Sequence, residues 1–145
     1  MAFEIVRDPI NSGAVELPIS SLTLAVGDMI ELDAGATTWT VADASTQHWQ
    51  KKAVCIEAAT SSATVVKTVP VNDYQLYKVE SANNSAAADN GDRMILTDRN
   101  TVNNTGTDNT SQEAVFIQIA PIGAAADKRL LGYFIAGIGV NPDAT

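Results

Sequence analysis

Residues 22–33 read LTLAVGDMIELD. Apolar side chains alternate at Leu22, Leu24 and Val26, a Gly27-Asp28 pair interrupts them, and the alternation resumes at Ile30 and Leu32. A period of two places apolar side chains on one side of a strand, whereas a helix needs a period of 3.6. Glycine supplies a positive φ and aspartate bonds back to nearby backbone, so Gly-Asp is turn chemistry. The stretch predicts strand, turn, strand.

The pattern extends outward. TTWTVAD (37–43), AVCIEAA (53–59), ATVVKTVPV (63–71), YQLYKVES (74–81), MILTD (94–98), AVFIQIAPI (114–122) and RLLGYFIAGIGV (129–140) are β-branched, aromatic or alternating. Eight or nine short strands separated by turn residues predict an all-β barrel or sandwich with at most one short helix. TQHWQKKAV (46–54) offers one or two helical turns with Ser45 or Thr46 as N-cap, and SANNSAAAD (81–89) a short turn or loop. GDMIELD (27–33) and GDRMILTD (91–98) echo one another. They read as two similar strand entries rather than a duplication. AFEIVRDPINSGAVELP (2–18), with two prolines, reads as an extended arm rather than core strand. The expected organisation is an arm over 1–18, one β-domain over 19–140 and a frayed end over 141–145.

The chain has 145 residues, enough for one domain with a sizeable core. Nine Lys+Arg against 17 Asp+Glu give a net charge of −8. That argues against nucleic acid, which demands a basic footprint, and against an anionic membrane surface. The lone cysteine, Cys55, excludes an internal disulfide and a Cys-based zinc site, and its apolar surroundings predict a buried thiol. The start MAFEIVRDP shows no basic-then-apolar leader, and LLGYFIAGIGV is short and glycine-broken for a membrane span. A soluble chain made in the cytoplasm is expected.

Catalytic signals are thin. The only histidine, His48, has no nucleophile in a recognisable motif, and Glu16, Glu31, Glu57, Glu80 and Glu113 stand singly on alternating segments. DNGD (89–92) with Asp98 and Asp108 offers oxygen ligands but lacks a calcium-loop spacing, and reads as a turn. Three Asn-x-Ser/Thr sequons, at Asn83, Asn103 and Asn109, match the richness in Asn, Ser and Thr. No catalytic, cofactor or metal site is expected.

The polar stretch TVNNTGTDNT (101–110) is longer than a hairpin turn requires and reads as a solvent-facing loop near a protomer or partner contact. With Ile122-Gly123, Ala126-Asp127-Lys128 and Leu131-Gly132-Tyr133-Phe134, and with LTLAVGDMIELD before it, this order resembles the capsid decoration, or cement, proteins of tailed bacteriophages. The likeness covers mainly residues 20–33 and 74–137. It implies a non-catalytic protein on the outer capsid surface, bound to the major capsid protein, commonly a homotrimer and without a cofactor. Burial of the RLLGYFIAG strand edge between protomers would follow. Contacts are expected from Phe3, Ile5, Val6 and Arg7 of the arm and from Asn103, Asn104 and Thr105 of the loop. The alternative is a carbohydrate- or receptor-binding β-module, with Trp39, Trp49 and the tyrosines as an aromatic platform.

Overall fold

The computed structural model describes residues 3–8, 13–105 and 112–141. Strands β1 (Glu4–Arg7), β2 (Val15–Pro18), β3 (Met29–Leu32), β4 (Thr40–Val41), β5 (Lys51–Cys55) and β6 (Val65–Pro70) come first. They are followed by β7 (Leu76–Ser81), β8 (Arg93–Asp98), β9 (Thr101–Asn103), β10 (Phe116–Ile122) and β11 (Arg129–Phe134). Two single-turn 3₁₀ helices, Ala87–Asp89 and Ala125–Asp127, complete the regular structure of the described residues. The fold is all-β, as the alternation predicts.

The strands form two curled sheets. One has the order β2-β6-β5-β3-β4, and a parallel bridge from Ile19, just past β2, to Trp39, just before β4, brings its two edges together. The other has the order β1-β7-β11-β10-β8-β9, and β7 also pairs in parallel with β9 through Glu80–Thr101 and Ser81–Val102. With β1 set aside, the second order matches the first strand for strand, with β7 in the place of β2 and β9 in the place of β4. Each unit closes through a short parallel contact between its first and third strands. The Gly-Asp echo lies at equivalent points, the entry to the second strand of each unit. Gly27 and Gly91 have φ of 88° and 89°. The echo, read from sequence as two similar strand entries rather than a duplication, marks a repeated topology.

Cores follow from the alternation. Ile19, Leu24, Ile30, Ala53, Cys55, Ala59 and Val66 pack inside the first unit. Phe3, Tyr77, Val79, Met94, Leu96, Val102, Val115, Phe116, Leu130 and Phe134 pack with Met29, Ala42 and Val54 in the second cluster. Phe134 sits at its centre, with the rings of Phe3, Tyr77 and Phe116 at 4.9–5.0 Å and tilted or edge-on, the favoured aromatic geometry. Met29 and Ile30, or Val54 and Cys55, are sequence neighbours in different cores, so β3 and β5 are buried on both faces.

Several expectations change. LTLAV (22–26) is not a strand: only Leu24 pairs, by a bridge to Ala59. The helix expected at 46–54 is absent, because Lys51–Cys55 is β5 and 46–50 is a hydrogen-bonded loop. The segment 1–18 is extended where described, yet its strands add to the chain's own sheets, β1 to β7 and β2 to β6. The β-domain thus begins before residue 19, since Phe3 supplies a core ring. RLLGYF is no edge: β11 lies between β7 and β10. Of the expected frayed end, 142–145 lies outside the described residues.

Gly132 permits the closest approach in the second unit. A Cβ there would lie 2.2 Å from the Ile117 carbonyl oxygen and 2.4 Å from Cζ of Phe116. At Gly91 a Cβ meets open space and only the positive φ resists it. Gly132→Ala is therefore expected to lower unfolding free energy in urea by about 3 kcal/mol or more, from overpacking against backbone. Gly91→Ala should cost nearer ~1 kcal/mol, from backbone strain alone.

Candidate functional site

A group of buried polar side chains lies where β3 and β5 face the second unit. Lys52, 2% exposed, stands opposite Glu31, 5% exposed, in the β3–β5 register. An ammonium group so buried must find acceptors. Lys52 Nζ donates to the carbonyls of His48 (3.2 Å), Gln50 (2.7 Å) and Ile135 (3.0 Å). It thereby ties the 46–50 loop of one unit to the chain leaving β11 of the other. Gln50 continues the network, accepting from the Gln47 amide at 2.7 Å and donating to Asp33 Oδ1 at 2.7 Å. The loop is held further by His48 N–H to Gln112 O (2.7 Å) and Gly139 N–H to Trp49 O (2.8 Å).

Electrostatics here are set by burial. Desolvation pushes the Glu31 carboxyl up to about 7, against a hydrogen bond from Thr46, with Asp33 and Asp43 adding to the rise and Lys52 opposing it. Desolvation brings Lys52 down to about 8, although Glu31 favours its charge. Glu31 Oε2 has no hydrogen-bond partner among the described residues. The pair therefore weakens the seam at neutral pH through Glu31 while the three carbonyl contacts of Lys52 hold it.

Other buried polar groups brace loops. Asp28 Oδ2 accepts from the Ala25 amide at 2.9 Å and meets Arg99 Nε at 3.5 Å, joining the Gly27-Asp28 turn to the loop after β8. Asn104 Oδ1 accepts from the Asn83 amide at 2.9 Å, while its Nδ2 donates to the carbonyls of Asn83 (3.0 Å) and Asn84 (2.9 Å). Between β10 and β11, the Ala124 amide donates to Asp127 Oδ2 at 2.9 Å, and Lys128 takes a left-handed φ of 55° to enter β11.

The residues expected to make contacts are divided by this arrangement. Phe3, 3% exposed, is a core ring, and Asn104 is buried and spent on holding the 83–84 backbone, so neither is available to a partner in this fold. Ile5 is partly buried against the core, whereas Val6 and Arg7 are exposed on β1. Asn103 Oδ1 accepts from the Thr105 amide and hydroxyl at 3.0 and 2.8 Å, leaving Thr105 exposed. Residues 106–111, with Asp108 and the Asn109 sequon, lie outside the described residues.

Trp49 is buried with its Nε1 donating to Gln47 Oε1, and Trp39 packs against the first core. The two tryptophans form no exposed platform. Cys55 is buried as expected, and burial pushes its thiol up to about 11, which removes the thiolate a nucleophile needs. Among the described residues no three His, Cys, Asp or Glu side chains gather to hold a metal ion.

One concavity opens beside β1. It has a volume of about 340 Å³ and is lined mainly by Phe3, Ile5, Val26, Val54, Cys55 and Ile56. Sequence reasoning missed it, because its walls come from three separated segments. No family model and no curated protein matches the chain in comparisons with known proteins.

Two expectations follow from the seam. Glu31 has a raised folded-state value, so its ionisation costs stability progressively as pH rises from about 4.5 to about 7. Glu31→Gln should therefore leave stability unchanged near the acid end of that window and raise it by roughly 2–3 kcal/mol at pH 8, by urea unfolding at each pH. Lys52→Met should lower stability at neutral pH by about 2–4 kcal/mol, because three carbonyls, buried or partly buried, lose their shared donor.

Proposed function

We propose that the chain is a non-catalytic structural protein that binds the outer surface of a tailed-bacteriophage head and ties neighbouring major capsid subunits together, as a homotrimer. The observation that carries this reading is the β10–β11 hairpin. The residues of the decoration-protein resemblance, Ile122-Gly123, Ala126-Asp127-Lys128 and Leu131 to Phe134, form one continuous capped element there. Buried polar groups spent on backbone support the same reading. Lys52, Asp28 and Asn104 spend their hydrogen bonds largely on loops, and a body with pre-ordered loops loses little entropy on docking. Three such bodies held together turn modest single contacts into firm attachment. A net charge of −8 suits an exposed virion surface and gives no basic footprint for nucleic acid.

The contact surface in this proposal includes the exposed residues of β1, Val6 and Arg7. Deleting the first strand is a poor probe, since it would also remove Phe3 from the core. The test is co-sedimentation of purified protein with undecorated heads. Saturable binding is expected, weakened about tenfold or more by the double variant Val6→Asp, Arg7→Glu at unchanged melting temperature. Failure of the wild-type chain to sediment with heads at excess over capsid subunits would sink the proposal.

A further inference from the structure

The Lys52 ammonium has three protons and three acceptors, the carbonyls of His48, Gln50 and Ile135. No donor is left for the carboxyl across the strand. Glu31 is buried, and its Oε2 has no hydrogen-bond partner among the described residues. Opposed residues of neighbouring antiparallel strands hold their Cβ atoms about 5 Å apart, so Lys52 reaches Glu31 by turning its own side chain. It does so only by giving up a carbonyl.

Of the three acceptors, Ile135 follows β11 in the second unit, whereas His48 and Gln50 precede β5 in the first. Two further contacts close the same joint. Gly139 N–H donates to Trp49 O at 2.8 Å, and a Cβ added at Gly137 would lie 2.0 Å from the Gln50 carbonyl oxygen. The 46–50 loop and the 135–139 segment are thus fastened at three points, one of which is the Lys52 ammonium. Neither segment belongs to a strand.

The charges around the pair set its response. Asp33, just past β3, and Asp43, after β4, disfavour a charge on Glu31, whereas the Thr46 hydroxyl and Lys52 favour one. Lys51 opposes the charge on Lys52, and Asp73, before β7, favours it. Burial outweighs these contacts and lifts the carboxyl to about 7, so Glu31 holds its proton in acid and loses it near neutrality. A carboxylate buried without a donor is costly, and the ammonium across the strand is the cation in reach.

We propose that this joint is a proton-operated latch: protonated Glu31 leaves Lys52 on the Ile135 carbonyl with the units fastened, and ionised Glu31 draws Lys52 away and frees the 46–50 loop from the 135–139 segment. The closed form holds the proton more tightly, so opening becomes easier as pH rises from about 4.5 to about 7 and gains little beyond. The latch lies within one chain and stands apart from capsid binding.

The test is amide hydrogen exchange of the full chain, resolved by NMR and corrected for intrinsic rates, as a pH series in low urea. The reporters are the amides of His48 and Gly139, and the references those of Cys55 and Val115, which bond to Asp28 O and Met94 O. The reporters should exchange faster than the references and with almost no urea dependence, the mark of local opening. Between about pH 6 and about pH 8 their opening should become about tenfold more favourable. Glu31→Gln, which cannot ionise, should abolish that change, and the carbon-13 shift of the wild-type Glu31 carboxyl should titrate over the same interval. His48→Gln should leave the change intact, which separates Glu31 from the imidazole in the loop, the side-chain type that ordinarily titrates here. Reporters whose opening ignores pH, or that open only with the references and with their urea dependence, would overturn the proposal. So would a pH response that survives Glu31→Gln or vanishes in His48→Gln, or a carboxyl that titrates below about pH 5.

Discussion

Strands β3 and β5 have no solvent face along most of their length, and the rest of the molecule is arranged around that wall. Ile30, Ala53 and Cys55 fill the first unit, while Met29 and Val54 pack against Tyr77, Phe116 and Phe134 of the second. A wall shared by two cores makes each unit depend on the other, since neither buries its apolar surface alone. It also forces the polar residues of the same strands, Glu31 and Lys52, into the seam. Lys52 meets that constraint with backbone carbonyls from both sides. Glu31 meets it poorly, which is why its carboxyl is displaced toward neutrality by desolvation.

Both units share one strand order and close in one way, through a short parallel contact between first and third strands. Curling a small sheet until its edges meet removes most exposed edge, the usual hazard of isolated β structure. β1 lies outside this scheme. It adds to β7 alongside the β9 contact, where Phe3 completes the aromatic cluster and a pocket opens beside the strand. The exposed Ile138 and Val140 also fall outside the repeated framework.

Much of this could be read locally. The alternation in MIELD, YQLYKVES, MILTD and AVFIQIAPI located strands, Gly27-Asp28 and Gly91-Asp92 located turns, and the apolar neighbours of Cys55 located a buried thiol. LTLAV misled because alternation reports burial, and Leu24 is buried through a single bridge rather than a ladder. TQHWQKKAV misled because Ser45 and Thr46 resembled a helix N-cap, whereas Lys51 to Cys55 pair with β3 and β6. Prolines near the start suggested a free arm, although β1 carries none and β2 ends on Pro18 at a sheet margin. The contact residues fared unevenly for the same reason: Phe3 and Asn104 bury side chains that look like surface features, while Val6, Arg7 and Thr105 stay exposed.

By itself the sequence determined the β class, most strand positions, the turn glycines and the acidic balance, because each depends on residues close together in the chain. Tertiary structure alone decided the pairing of two five-strand units and the sorting of Met29 from Ile30 into different cores. It alone placed β11 at the centre of its sheet and turned Ile138 and Val140 outward. Periodicity tells a side chain that it must be buried or exposed, but the partner that buries it is chosen by contacts distant in sequence.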